Sequence, residues 1–129
     1  MKMAVFSELF YPHGGGAELA TWLYLKLLSE EEGIKIKVVT RQFPGEPSTE
    51  LVNKNLTIFR IPMKIALGSR YDTLVNMGIL LKDFNQKLIK ESDVVYIPGC
   101  WYSAIPIAKM HKNQLLPIYI ITPLHALHP

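Results

Sequence analysis

The residues best suited to chemistry in this 129-residue sequence fall in a few short segments rich in glycine, proline, histidine and aromatic side chains. The first is Tyr11-Pro12-His13-Gly14-Gly15-Gly16-Ala17-Glu18. Glycines between a strand and a helix let the backbone approach a ligand closely, and the free N–H groups of the helix's first turn favour a negative group such as a phosphate. A tight turn needing positive φ would also use glycine, but three in succession exceed that need, so the phosphate-facing reading is the stronger. The loop is not G-x-G-x-x-G, because Gly14, Gly15 and Gly16 are adjacent, and no Walker-type lysine follows. That disfavours a dinucleotide dehydrogenase or a P-loop kinase. His13 either approaches a phosphate or is a surface histidine. Glu18 falls on the helix's first turn, where a carboxylate suits the helix dipole whether or not it also touches a substrate. Trp101 and Tyr102 follow a strand end, and their rings either stack on a sugar or lipid or serve as packing. Cys100 has no histidine beside it in sequence to make it a nucleophile. No His, Cys, Asp or Glu cluster has metal-ligand spacing.

Regular elements must position these segments. Met3-Ala4-Val5-Phe6 is a short apolar run ending near glycines, as a buried parallel strand does. From Ala17 the period changes: Ala20, Leu23, Tyr24 and Leu27 fall at i, i+3, i+4 and i+7, predicting one apolar helical face, with Gly33 as the stop. Glu30, Glu31 and Glu32 oppose the helix dipole and read as solvated. Ile34–Thr40 alternates and is β-branched, a second strand. Phe43 to Pro47 reads as loop, with Pro44, Gly45 and Pro47 as breakers. Leu56–Ile61 is a third strand. Leu74, Met77, Leu81, Phe84 and Leu88 then mark an amphipathic helix whose stripe reads as core packing. Asp93–Ile97 is a fourth strand, a helix starts near Ser103, and Ile118–Thr122 is a fifth strand. The order β-α-β-β-α-β-α-β predicts an α/β fold, with a mostly parallel sheet and helices on both faces. In such sheets ligands bind beyond the carboxyl ends of the strands. The segments expected there are Pro12 to Glu18, Pro98 to Tyr102, and Pro123 to Pro129.

Hydrophobic residues make up 49% of the chain and charged residues 19%, enough for a buried core in a single domain. No apolar run approaches the roughly 20 residues that span a bilayer. The N-terminus does not read as a signal peptide, since Glu8 cuts the apolar run short. The lone Cys100 excludes an intramolecular disulfide and fits a reducing cytoplasm. The net charge of +3 is modest and its lysines and arginines are scattered, which gives nucleic-acid binding little support. Weak, peripheral attraction to an anionic membrane surface is compatible with that charge.

Four segments together carry a family resemblance. Phe10–Glu18 resembles the "P-x-x-G-G-x-E" opening of family 4 glycosyltransferases. Gly33–Thr40 resembles that family's "G-H-x-V-x-V-x-T" stretch, with Ile34 at the usual histidine. Asp93–Gly99 with Trp101 is similar to "D-V-V-H-x-H-G-x-W", with Tyr96 and Pro98 where histidines often stand. Pro117–Pro129 resembles "P-x-V-x-T-P-H-G-x-x-H-P". The resemblance covers nearly the whole chain in register, apart from residues 41–72.

The resemblance implies a GT-B fold, in which two Rossmann-like domains close over a nucleotide sugar. A glycosyl group then passes to a saccharide or lipid-linked acceptor with retention of configuration, usually without a bound metal. The nucleotide-diphosphate sugar is a donor substrate, not a tightly bound cofactor. By resemblance, residues 1–129 would be the N-terminal Rossmann-like domain, which mainly supplies the acceptor site. Gly14, Gly15 and Gly16 would face the donor diphosphate, with Glu18 and Trp101 as further substrate-binding candidates. A histidine after the fifth strand lies near the transferred sugar in the family, where it could hold a hydroxyl or a developing charge. Strict alignment puts Leu124 at that position, so His125, one residue on, is the catalytic candidate beside a plain loop-histidine reading. His128 matches the later histidine of the motif, and His111 is expected on a helix facing solvent.

A complete N-terminal domain of this kind continues beyond Pro129, and a C-terminal domain supplies most donor contacts. The chain is therefore expected to be truncated at its C-terminal end and not to transfer sugar alone. Its unfinished sheet would favour a homo-oligomer or pairing with a missing second half. Two other readings stay open: a non-catalytic subunit of a split glycosyltransferase, and another GT-B-shaped sugar-nucleotide enzyme such as an epimerase.

Overall fold

The computed structural model describes residues 1–62, 83–98 and 119–122, the last four through their backbone. Six strands and two helices are placed: β1 (Lys2–Phe6), α1 (Gly16–Ser29), β2 (Lys35–Arg41), β3 (Thr49–Asn53), β4 (Leu56–Ile61), α2 (Asp83–Glu91), β5 (Val94–Pro98) and β6 (Tyr119–Thr122). They form one six-stranded mixed sheet in the order β3-β4-β2-β1-β5-β6. Every pairing is parallel except that of β3 with β4. The protein is therefore α/β with a mostly parallel sheet. Taken in chain order, its five parallel strands lie third, second, first, fourth, fifth across the sheet.

The strands alternate between two apolar faces, as the two-residue period of a strand requires. On one face Met3, Val5, Ile36, Val38, Leu56 and Ile58 pack with Phe10 and with Leu25 of α1. On the other, Ala4, Phe6, Val39, Val95 and Ile97 pack with Leu88 and Ile89 of α2. Helices thus cover both faces, and continuous runs such as Val38-Val39 are apolar because both sides are buried.

The structure corrects three expectations. The chain between the second and third expected strands contains an additional one, β3, which is antiparallel. Glu50 and Leu51 of β3 are exposed and Leu51 sits at a register shift, the marks of a short edge strand whose alternation is too weak to read.

The helix face is also different. Leu23, Tyr24 and Leu27 are 51%, 55% and 66% exposed, and Ala20 is exposed too. The side facing the sheet carries Thr21, Leu25 and Ser29, flanked by Trp22 and Leu28. Two of its members are hydroxyl residues, which hid the stripe from an apolar count. Their burial is made tolerable locally: Thr21 Oγ1 donates to the Ala17 carbonyl at 2.9 Å and Ser29 Oγ to the Lys26 carbonyl at 2.6 Å. Ser29 also accepts from Asn53 Nδ2, and its carbonyl accepts from Asn55 Nδ2, both at 2.9 Å. These bonds pin the end of α1 to the β3–β4 turn. The helix ends at Ser29, ahead of Gly33, which has φ 82° in the link to β2.

In the second expected stripe, Leu88 is buried but Phe84 is 49% exposed, with its ring edge-on to Phe59 at 5.3 Å. Leu74, Met77, Leu81 and the helix expected from Ser103 lie outside the described residues. Among the described residues, no helix is long and apolar enough to cross a membrane.

Candidate functional site

Parallel strands send their carboxyl ends to one edge of the sheet. There the chain leaves β1 for α1, leaves β2 for the β2–β3 loop, and leaves β5 at Pro98, the register partner of Thr122 in β6. Winding goes from β1 toward β2 and β4 on one side and toward β5 and β6 on the other. The β1–β5 boundary is therefore a topological switch point, where open sheets of this kind bind ligands. The glycine loop opens directly from it.

Three sets of contacts shape that loop. Ser7 N–H donates to the Val39 carbonyl at 3.1 Å, which continues the β1–β2 ladder past the strand end. His13 N–H donates to the Phe10 carbonyl at 2.9 Å, closing a four-residue turn that contains a cis Tyr11–Pro12 bond. The Tyr11 ring stacks on Trp22 of α1 at 5.3 Å and 9°, and Phe10 meets the same indole edge-on at 5.9 Å. Aromatic packing thus seats the loop on the helix that follows it.

The three glycines are not equivalent. Gly14 has φ 85°, and a Cβ there would fall 2.5 Å from Glu18 Cδ. Among the described residues, nothing lies within 4 Å of a Cβ placed on Gly15 or Gly16. Gly14 is thus the one of the three with positive φ and a crowded Cβ position, and no described atom crowds the other two. Glu18 folds back so that its Oε2 accepts the Gly15 N–H at 2.9 Å. Its carboxylate therefore serves the orphan donors of the helix end, the dipole-matching role anticipated for it. The first-turn N–H groups that follow have no acceptors within the helix. Gly14→Ala is expected to cost about 2 kcal/mol, from left-handed strain plus displacement of the Glu18 cap. Urea denaturation checks this. Removing the carboxylate as well (Glu18→Ala) should recover the clash but not the strain, so the double-mutant cycle should show coupling.

His13 turns away from the glycines toward the β2–β3 loop. Its ring stacks on Phe43 at 3.7 Å and 24°, and its Nε2 lies 3.1 Å from Glu46 Oε2. The contact is an ion pair when the imidazole is protonated. Glu46 also accepts the Phe43 N–H at 2.9 Å and lies 3.5 Å from Arg60 Nε. Burial alone would raise the Glu46 pKa. The Phe43 N–H, His13 and Arg60 outweigh it and hold the carboxyl below its ordinary value. Arg60, buried at the end of β4, donates to the Pro47 carbonyl at 3.3 Å and to Glu50 at 2.9 Å. A chain of contacts thus runs from β4 through Arg60 and Glu46 to His13 in the glycine loop. Sequence reading missed Phe43, Glu46 and Arg60 because they lie in residues 41–72, outside the quoted motifs, and are linked to His13 only in space.

Gly14, Gly15, Gly16 and Glu18 are brought together at the switch point. Trp101, His125 and the associated Cys100, Tyr102, His111 and His128 lie outside the described residues. Among the described residues, no group of three or more His, Cys, Asp or Glu side chains is placed to hold a metal ion. An open depression lined by Lys2, Lys35, Lys37, Leu88 and Glu91 lies at the opposite, amino-end edge and is not part of this site. No protein-family model matches the sequence, and no curated protein matches it in a sequence comparison.

Proposed function

We propose that this chain is the acceptor-side, N-terminal Rossmann-like part of a retaining, nucleotide-sugar-dependent GT-B glycosyltransferase, transferring a glycosyl group to a saccharide or lipid-linked acceptor. The observation that carries the reading is the glycine loop at the switch point of a sheet whose parallel strands follow the doubly wound 3-2-1-4-5 order. The space left by the described residues over Gly15 and Gly16, at the positive end of α1, suits a diphosphate. In this reading the loop's backbone N–H groups hold the donor diphosphate. Trp101 and His125 would contribute at the neighbouring strand ends, Trp101 by stacking on a sugar or lipid and His125 by bonding a sugar hydroxyl. Glu18 already occupies one loop donor, which favours a division of labour in which a second domain or partner chain carries most donor affinity.

Calorimetric titration with UDP and GDP, beside Gly15→Val, tests the proposal. A Cβ at Gly15 meets no atom of the described residues, so the variant should fold as the parent does while adding bulk above the loop. Nucleotide binding by the parent, weakened about tenfold or more in the variant, is the expected result. Equal binding by both would remove the diphosphate from this loop. Absence of binding to either nucleotide would mean that donor affinity does not reside in this loop, which fits an acceptor-side fragment or a partner subunit.

A further inference from the structure

The amino-end edge of the sheet, opposite the glycine loop, carries a concentration of positive charge. Lys2 opens β1 and Lys35 opens β2, and the two are register partners on neighbouring parallel strands. Lys37 stands two residues after Lys35, so the strand period puts it on the same face of the sheet. That face is the one α2 covers. Lys2 is in step with Ala4 and Phe6, and Lys35 and Lys37 with Val39, which belong to the core cluster that contains Leu88. The three lysines line one open depression of about 100 Å³ together with Leu88 and Glu91. All three are exposed, and none of their ammonium groups is in an ion pair among the described residues. The neighbouring carboxylates have other partners. Asp93 accepts the backbone N–H of Lys2 at 2.8 Å, and Glu91 lies 3.9 Å from Lys87, one turn back on α2. The Asp93 N–H donates in turn to the Lys2 carbonyl at 2.8 Å, so the backbone that carries the first lysine is held from both sides.

Neighbouring strands lie about 4.8 Å apart, and alternate residues along a strand about 6.6 Å. Like charges at such spacings repel, and matched register makes the repulsion between Lys2 and Lys35 a standing cost of the fold. Within the depression, three ammonium groups against the carboxylate of Glu91 leave two positive charges in excess. A doubly charged oxyanion matches that excess and turns the repulsion into attraction. Lysine ammoniums, point charges with rotatable donors, suit the oxygens of a phosphate group. Leu88 and the lysine stems supply an apolar wall for whatever the phosphate is attached to. A flat anionic membrane fits this edge less well. The end of α1 returns the chain there, and Glu30, Glu31 and Glu32 follow it fully exposed, so a negatively charged bilayer would meet three carboxylates beside the lysines.

We propose that Lys2, Lys35 and Lys37 form a second ligand site, at the amino-end edge of the sheet, which takes the phosphate group of a small soluble phosphate monoester. The site lies a strand's length from the glycine loop and does not depend on the nucleotide-sugar reading. It would stand if UDP and GDP failed to bind, and it would fall on its own if the lysines proved silent.

The test titrates the whole chain, labelled with nitrogen-15, with glycerol 3-phosphate at low ionic strength and follows the backbone amide shifts. Sedimentation with phosphatidylcholine vesicles, with and without phosphatidate, runs beside it. The variants are Lys35→Gln, the double variant Lys2→Gln with Lys35→Gln, Lys26→Gln and Gly15→Val. Lys26 is exposed on α1, which covers the other face, so its variant makes the same charge change away from the depression. Thermal melts confirm that each variant folds. Shifts in the parent should centre on Lys2, Lys35 and Lys37. Lys35→Gln should weaken binding about fivefold and the double variant about twentyfold, as expected when one and then two cations are removed. Lys26→Gln and Gly15→Val should bind as the parent does, and added salt should weaken binding in all of them. No binding by the parent, an equal loss in Lys26→Gln, or binding unchanged in the double variant overturns the proposal. A loss confined to Gly15→Val would put the phosphate on the glycine loop instead, and binding to phosphatidate vesicles alone would make the ligand a lipid headgroup; either result overturns it too.

Discussion

Leu25→Ala should destabilise the protein by about 3 kcal/mol, whereas Leu23→Ala and Leu27→Ala should each stay within about 1 kcal/mol. Leu25 is fully buried between α1 and the sheet, packed with Met3, Val5, Val38 and Ile58, while Leu23 and Leu27 are half exposed or more. Deleting Leu25 leaves a cavity among β-branched neighbours that cannot collapse into it, so the loss combines transfer and cavity terms. Against a total stability of about 5–15 kcal/mol, that is a large share. Urea midpoints for the three variants decide the matter. Should Leu23→Ala cost as much as Leu25→Ala, the helix is rotated and the stripe Ala20-Leu23-Tyr24-Leu27 faces the sheet after all. The consequence reaches the site, because Leu25 sits one turn from Trp22, which holds Phe10 and Tyr11 of the glycine loop.

Arg60→Ala is the second large effect, with an expected loss of about 2–3 kcal/mol. The bond to Glu50 contributes little of this, since that carboxylate is 45% exposed and its pairing is screened by water. Most comes from Glu46, only 17% exposed, which would keep its desolvation penalty without its main fixed cation. Arg60→Lys should not restore the loss, because an ammonium cannot reach Pro47, Glu46 and Glu50 together. Acid titration gives an independent check. Glu46 has a folded-state pKa below its ordinary value, so its contribution is complete above the unfolded pKa and is lost as pH falls through the folded one. The parent should therefore lose this increment on acidification through and below the usual carboxylate range. Arg60→Ala should lose less over the same range, since its Glu46 shift is smaller. Parallel curves for parent and variant would remove Arg60 from the account. Loosening this network should also free His13 and with it the glycine loop, so nucleotide binding should weaken alongside stability.

The sequence alone determined the α/β class, the five parallel strands to within one or two residues, and the place of the glycine loop at the end of β1. It could do so because a strand buried on both faces must be an apolar run and a strand-to-helix turn at a close approach must be glycine. Those constraints act within a few residues along the chain. Which side of α1 faces the sheet was not legible there. The helix is apolar almost all the way round, and the choice fell to Thr21, Leu25 and Ser29 because the two hydroxyls satisfy themselves on the helix backbone while Ser29 ties to Asn53 and Asn55. The antiparallel β3 escaped notice because an edge strand with Glu50 and Leu51 exposed carries no alternation. Within the site, glycine spacing marked Gly14, Gly15 and Gly16 but could not divide their roles. Only the fold sets Gly14 against Glu18 and, among the described residues, leaves Gly15 and Gly16 uncrowded. The enclosure of Arg60 by Glu46 and Glu50 likewise exists only in three dimensions. Charge compensation depends on which strand ends the sheet order places side by side, and that order is a property of the folded chain.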